Sequence, residues 1–183
     1  MATPVDIEAE LTVEIDGPVI TPEKFLRGVE AFFAVLSEVT RTLTPEGERA
    51  EWTVQVKQGS NLVSVRPVPG TQPAIVSQVI AAMSGGLAAL EREPIEPPQF
   101  TERALRNIRA LARLTEKRDA DDTRVNIWAG TTPSPITPRL ARHVEEILED
   151  AFTDQGTVEG SLKTISEAGG SGLSSMNRCL GGP

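Results

Sequence analysis

The first segment of the chain with a clear pattern is residues 6–16, in which apolar and polar side chains alternate. The apolar side chains occupy the odd positions and the polar ones occupy the even positions. A period of two residues is typical of a β-strand with one buried and one exposed face. Glu8, Glu10 and Glu14 lie on the polar side. The pattern therefore predicts a strand whose exposed face is acidic and available to a basic partner, although clustered carboxylates also serve solubility alone.

Helical spacing of apolar residues follows this strand. Thr21 is a suitable N-cap, and Pro22 is suited to the first helical position, where its missing N–H is not needed. The spacing of the next apolar residues predicts a long helix with one face in the core. The apolar face comprises Phe25, Val29, Phe32, Phe33, Leu36 and Val39, and the opposite face comprises mostly Lys24, Arg27, Glu30 and Glu38.

The rest of the chain contains further segments of both kinds. Two β-rich segments on either side of a Gly-Ser-Asn turn predict a hairpin. The tripeptide Ile136-Thr137-Pro138 repeats the helix opening at residue 20. We predict strands at 52–57, 62–66, 124–129 and 157–165, helices at 73–91, from 101 and from 138 to about 152, and a loop at 130–135.

Two adjacent glycines, Gly85 and Gly86, interrupt the apolar pattern of the predicted helix at 73–91. Each glycine weakens a helix by roughly 1 kcal/mol relative to alanine. They indicate either close packing against another element or a kink. They do not form a phosphate loop, because no strand precedes them and no Gly-Lys-Ser or Gly-Lys-Thr follows.

The order of these elements predicts an α+β fold. The predicted order is strand, helix, strand, strand, helix, extra helix, strand. This is the ferredoxin-like (split βαβ) pattern with one added helix, and it implies an antiparallel sheet with helices on one face. A further helix and a C-terminal strand follow. We predict an α+β domain at 5–130, a helix with the first strand of a β-rich appendage at 131–166, and a flexible tail at 167–183.

Composition narrows the classes of function. The 183 residues carry a net charge of −8 and no Tyr, and aromatic residues make up 4%. This balance disfavours nucleic acid and anionic membranes as partners. The single cysteine, Cys179, cannot form an intramolecular disulfide, which is typical of a reducing compartment. We find neither a signal-peptide pattern nor an apolar run of membrane-spanning length, and we expect a cytoplasmic protein.

One short motif resembles a group of uncharacterised bacterial α+β proteins. Gly156-Thr157-Val158-Glu159-Gly160-Ser161-Leu162 is similar to their Gly-[Ser/Thr]-Val-Glu-Gly-x-Leu strand, and the opening strand and helix are also similar. The resemblance implies a second strand and then a Ser-Gly-Arg turn, with no known activity. A permissible back-translation of residues 171–183, shifted by two bases, encodes Leu-Ile-Val-Tyr-Glu and a later Ser-Gly-Arg. We therefore expect a truncated or frameshifted end after about Gly170; an ordinary tail is the alternative.

No motif for catalysis, for a metal or for a cofactor emerges from the sequence. His143 is the only histidine, so we expect it on a solvated helix face rather than in a metal site. Asp119, Asp121 and Asp122 lack the central glycine and the late glutamate of a calcium loop, which favours an acidic surface loop. An enzyme whose site is assembled from distant residues remains an option.

Four arginines on the third helix form the most distinctive charged cluster. Arg103, Arg106, Arg109 and Arg113 recur every three or four residues and share one stripe of the helix. They are candidates for contact with an anion, RNA or a partner protein. The alternative is a solvated helix back paired with acidic neighbours, which the net negative charge favours.

The sequence favours a non-enzymatic protein that acts through a protein partner or through self-association. The predicted strand at 157–165 has no partner strand of its own, and an unpaired strand edge is a natural site for a further strand. The alternative is a nucleic-acid-binding or nucleotide-binding module, which rests on the ferredoxin-like fold alone. The predicted exposed face offers Glu and Thr rather than the aromatic side chains that RNA-binding sheets present.

Overall fold

The computed structural model of the protein describes residues 11–56, 61–116 and 122–155, without the side chains of residues 150–155. Several predictions concern residues outside these ranges. They are Glu8 and Glu10, Asp119 and Asp121, Cys179, the strand at 157–165, the tail at 167–183 and the motif at 156–162. Two compact units divide the chain, Met1–Asp150 and Ala151–Pro183. The sheet and the core described below belong to the first unit.

Nine elements form the described part of the chain, and most of them match the predicted segments. The one clear difference lies at 130–135, where the predicted loop is wrong and a strand is present instead. In chain order the elements are β1 (Leu11–Asp16), α1 (Pro22–Leu43), β2 (Trp52–Val56), β3 (Leu62–Pro67), α2 (Pro73–Arg92), α3 (Glu102–Arg113), β4 (Arg124–Ala129), β5 (Thr132–Ile136) and α4 (Pro138–Gln155).

The strands form one open antiparallel sheet in the order β2-β3-β1-β4-β5. The prediction of an α+β fold is therefore confirmed. β5 pairs with β4 through a two-residue turn, in which Gly130 has a φ of +57°. Two prolines, Pro133 and Pro135, make this segment resemble a loop in sequence. An edge strand tolerates them because it bonds to a neighbour on one side only.

Three helices begin at a threonine N-cap, as expected at Thr21. The hydroxyl oxygens of Thr21, Thr101 and Thr137 each accept a hydrogen bond at 3.2 Å from the backbone N–H three residues further on. These bonds satisfy one of the backbone donors that the first helical turn leaves unpaired. The caps set the starting points of α1, α3 and α4.

The hydrophobic core lies between the helices and one face of the sheet. Leu11, Val13 and Ile15 of β1 are fully buried on this face, as their odd positions predict. The core continues into the apolar faces of the helices. It includes Phe32, Val35 and Val39 of α1, Val79, Met83, Leu87 and Leu90 of α2, Leu105, Ile108 and Leu111 of α3, and Leu140, Val144 and Leu148 of α4.

Helix α2 packs closely around Phe100. A Cβ atom at Gly86 would lie 2.6 Å from Cζ of Phe100, whereas one at Gly85 would meet nothing within 4 Å. Close packing therefore explains Gly86, and the helix runs unbroken past both glycines. By length and composition, α2 is the one described helix that could cross a membrane. A core helix of a soluble protein meets the same criteria, and the apolar face of α2 lies in the core.

Candidate interaction surface

The face of the sheet opposite the helices, here called the open face, carries the even-numbered side chains of the central strands. Glu14 of β1 is half-buried there. Its Oε2 accepts hydrogen bonds from Nδ2 of Asn126 and from Nε1 of Trp128, both at 2.9 Å. Of the predicted acidic surface, only Glu14 lies within the described residues, and its carboxylate is already bound by two side chains of β4.

Trp128 changes the predicted character of the open face. The face offers an aromatic side chain in addition to Glu and Thr, so the predicted absence of aromatics is wrong. The signal was present in the sequence, because Val125 and Ile127 on the core side require Asn126 and Trp128 to point the other way. The indole is held by Glu14, which fixes the side chain against the sheet.

The polar side of β1 is less exposed than the alternation predicts. Thr12 is fully buried, and its Oγ1 lies 2.8 Å from Oγ of Ser64. Thr12 stands opposite Ser64 on one side and Trp128 on the other. Side chains of both neighbouring strands therefore flank the central strand, which a single-strand pattern does not reveal.

The structure does not gather the four arginines of α3 into one site. Arg106 forms an ion pair with Glu102 of the same helix. Arg103 lies 3.6 Å from a carboxylate oxygen of Glu38 in α1. Arg113 lines a groove between α1 and α3, and Arg109 is half-buried. Two of the arginines thus have carboxylate neighbours, and an anion site at this helix stays a prediction.

Glu38 is buried, although its helical position predicts the polar face. Only 7% of its surface is exposed. Its Oε2 accepts hydrogen bonds from Arg41 at 2.7 Å and from the hydroxyl of Thr101 at 2.9 Å. The bond from Arg41, followed by that from Thr101, holds the pKa of Glu38 below its usual value, against the opposing effect of burial. The periodicity missed this residue because Thr101 comes from another element.

His143 is half-buried rather than on a solvated face. Its Nδ1 lies 2.7 Å from the carbonyl oxygen of Leu90, in the last turn of α2. Nearby, the hydroxyl of Thr137 donates to Oε2 of Glu91 at 2.6 Å. These contacts tie the beginning of α4 to the end of α2. Within the described ranges, no group of three or more His, Cys, Asp or Glu side chains is arranged to hold a metal ion.

The two edges of the sheet differ in what they offer to a further strand. At β2, Val68 N donates to the carbonyl of Glu51 at 2.8 Å, which makes 51 and 68 a hydrogen-bonded pair. Bonding alternates along an antiparallel ladder, so Trp52, Val54 and Val56 direct their backbone N–H and C=O groups away from β3. Among the described strands none pairs with this edge.

The opposite edge, at β5, lacks the corresponding donors. Ser134 and Ile136 stand opposite Ile127 and Val125, whereas Pro133 and Pro135 stand opposite Trp128 and Asn126. A proline has no N–H to donate to β4, so Pro133 and Pro135 occupy the alternate positions whose backbone groups face away from β4. The outward N–H donors are therefore missing from this edge. Proline on an edge strand is a common protection against pairing with another chain. The edge at β5 is therefore protected against pairing with a further strand, whereas the edge at β2 lacks this protection.

Apolar side chains accompany the unpaired edge. Val54 and Val56 are 51% and 69% exposed on the helix side of β2. Val54 also lines a groove of about 810 Å³, together with Trp52 and with Phe33 and Leu36 of α1. Trp52 is anchored by a hydrogen bond of 3.0 Å from its Nε1 to the hydroxyl of Thr40. Exposed valines and backbone groups that point away from β3 thus occur together on one strand.

Comparisons of the chain with protein-family models, with curated protein sequences and with solved structures found no significant match.

Proposed function

We propose that this protein is a non-enzymatic, cytoplasmic protein-interaction module that binds its partner by adding a strand to β2. The observation that carries the proposal is the contrast between the two edges of the sheet. Prolines remove the outward donors of β5, while β2 keeps its own and adds the exposed Val54 and Val56. Strand addition at a free edge supplies main-chain hydrogen bonds, and side chains at alternate positions provide specificity.

We also infer that β1, α1, β2, β3, α2 and β4 form a ferredoxin-like unit. The antiparallel strand order β2-β3-β1-β4 supports this inference. In this arrangement α3 is the added helix, and β5 extends the sheet beyond β4. The first hairpin of such a unit ends at a free edge, which is the edge that the proposal uses.

Nucleic acid is a weaker candidate for the same domain. RNA-binding sheets stack bases on exposed aromatic side chains of their central strands. Trp128 lies on the open face, but its indole N–H is bonded to the carboxylate of Glu14. A carboxylate at that point and a net charge of −8 both repel phosphate.

The proposal is tested by site-specific photo-cross-linking in cells that express the full chain. A benzoylphenylalanine is placed at position 56 or, as a control, at position 19. Val56 and Val19 are almost equally exposed, at 69% and 67%, but Val19 lies outside the sheet. We expect a discrete protein adduct at position 56 and none at position 19. Equal adducts at both positions, or none at position 56, would overturn the proposal.

A further inference from the structure

We infer that the strand added to β2 is β2 of a second copy of this chain. The inference rests on the proposed function and names the partner at the same edge. Two copies related by a twofold axis pair their β2 strands antiparallel, with Val54 opposite Val54. In this register Trp52 of one copy stands opposite Val56 of the other. All three residues direct their backbone groups outward, so each pair exchanges both main-chain hydrogen bonds.

The side chains of β2 are complementary to their own reversed sequence. Val54 and Val56 lie on the helix side of the strand together with Trp52. Self-pairing places the two exposed Val54 side chains next to each other and each Val56 beside a tryptophan. Pairs of aromatic and β-branched residues across adjacent strands stabilise a sheet. The apolar surface exposed in one copy is thereby covered by the same surface of the second.

The same arrangement closes after two copies. A twofold interface uses the same surface on both subunits and leaves no second copy of that surface free. The outer edges of the joined sheet are then the two β5 strands, in which Pro133 and Pro135 lack outward donors. A dimer is therefore the expected assembly, not an extended filament.

Sedimentation velocity of the purified full chain over a concentration series tests the inference. We expect a reversible dimer, with the dissociation constant raised about tenfold or more by Val56→Lys. Val19→Lys is the matched control and should leave it unchanged. Circular dichroism of each variant checks that the fold is intact.

The possible results separate the two proposals. A chain that stays monomeric over the series, or a dimer that Val56→Lys does not weaken, overturns the inference of a second copy. If the chain is monomeric and position 56 still cross-links to a different protein, strand addition stands and only the identity of the partner is wrong. If position 56 gives no specific adduct at all, the proposed function itself is overturned.

Discussion

Glu38 shows how the surroundings of a single residue depend on elements distant in the chain. Helical periodicity places it on the polar side of α1, and three charged residues of that side precede it. The structure buries it against Thr101, the N-cap of α3, with Arg41 and Arg103 nearby. The carboxylate thus links α1 to α3 and supports the residue that caps α3. Trp128 and Glu14 form a comparable link between β4 and β1.

Glu38→Gln is expected to lower the free energy of unfolding by about 1 kcal/mol at neutral pH, the usual net contribution of one hydrogen bond, because the glutamine side chain keeps an acceptor oxygen but loses the charge. Arg41 is 68% exposed, so its share of this value is small. The folded state lowers the pKa of Glu38 below 4.5. The stabilising contribution is therefore complete above pH 4.5 and is lost as the pH falls through the folded-state pKa.

Urea denaturation of the native protein and the Glu38→Gln variant between pH 7 and pH 3 measures this effect. The difference between the two should shrink on the acid side of pH 4.5. Glu30→Gln, at an exposed position of the same helix, should show no such trend. A difference between native protein and Glu38→Gln that does not change with pH would contradict the assigned role of the carboxylate.

At the scale of elements, the helices follow local signals closely. Threonine caps set the beginnings of α1, α3 and α4, and apolar spacing identifies the core faces. Helix α2 adds a feature that spacing cannot explain, because two adjacent glycines have different surroundings. Gly86 faces the ring of Phe100, and Gly85 faces open space. Only the packing partner distinguishes one glycine from the other.

Alanine substitutions at the two glycines should act in opposite directions. Gly85→Ala is expected to raise the free energy of unfolding by up to about 1 kcal/mol, because alanine favours a helix and has room there. Gly86→Ala is expected to lower it by about 1–3 kcal/mol, because its Cβ would overlap the Phe100 ring. Thermal or urea denaturation measures both. If both Gly85→Ala and Gly86→Ala raise the free energy of unfolding, the prediction is wrong, and the Phe100 ring can move away from the added Cβ with little loss of stability.

At the scale of the whole molecule, the proposed interaction depends on the difference between the two edges of the sheet. Neither edge is recognisable in the sequence, because edge status depends on the order of strands. The prolines of β5 first suggest a loop. Once β5 is placed beside β4, the same prolines protect the sheet at that side. The opposite side, at β2, has no proline within the strand and exposes two valines.

Restoring the backbone N–H donors at positions 133 and 135 of β5 should therefore create a second edge that can pair with a further strand. The double variant Pro133→Thr/Pro135→Thr is expected to form assemblies larger than those of the native protein, growing with concentration, because each copy could then add strands on both sides. Light scattering over a concentration series measures this growth. Pro94→Thr/Pro98→Thr changes two exposed prolines outside the sheet and is the control. Assemblies of native size in both variants would show that the prolines do not protect the edge.

The sequence by itself determined the elements and the faces of this protein. Helix caps, apolar spacing and alternation act between residues a few positions apart, so Thr21 and the odd positions of β1 were predictable from their neighbours. Only the tertiary structure decided that β5 is a strand, that Glu38 is buried, that Glu14 binds Trp128 and that β2 is the outermost of the described strands on its side of the sheet. Each of these depends on which distant segments become neighbours, and strand order and packing are properties of the whole fold.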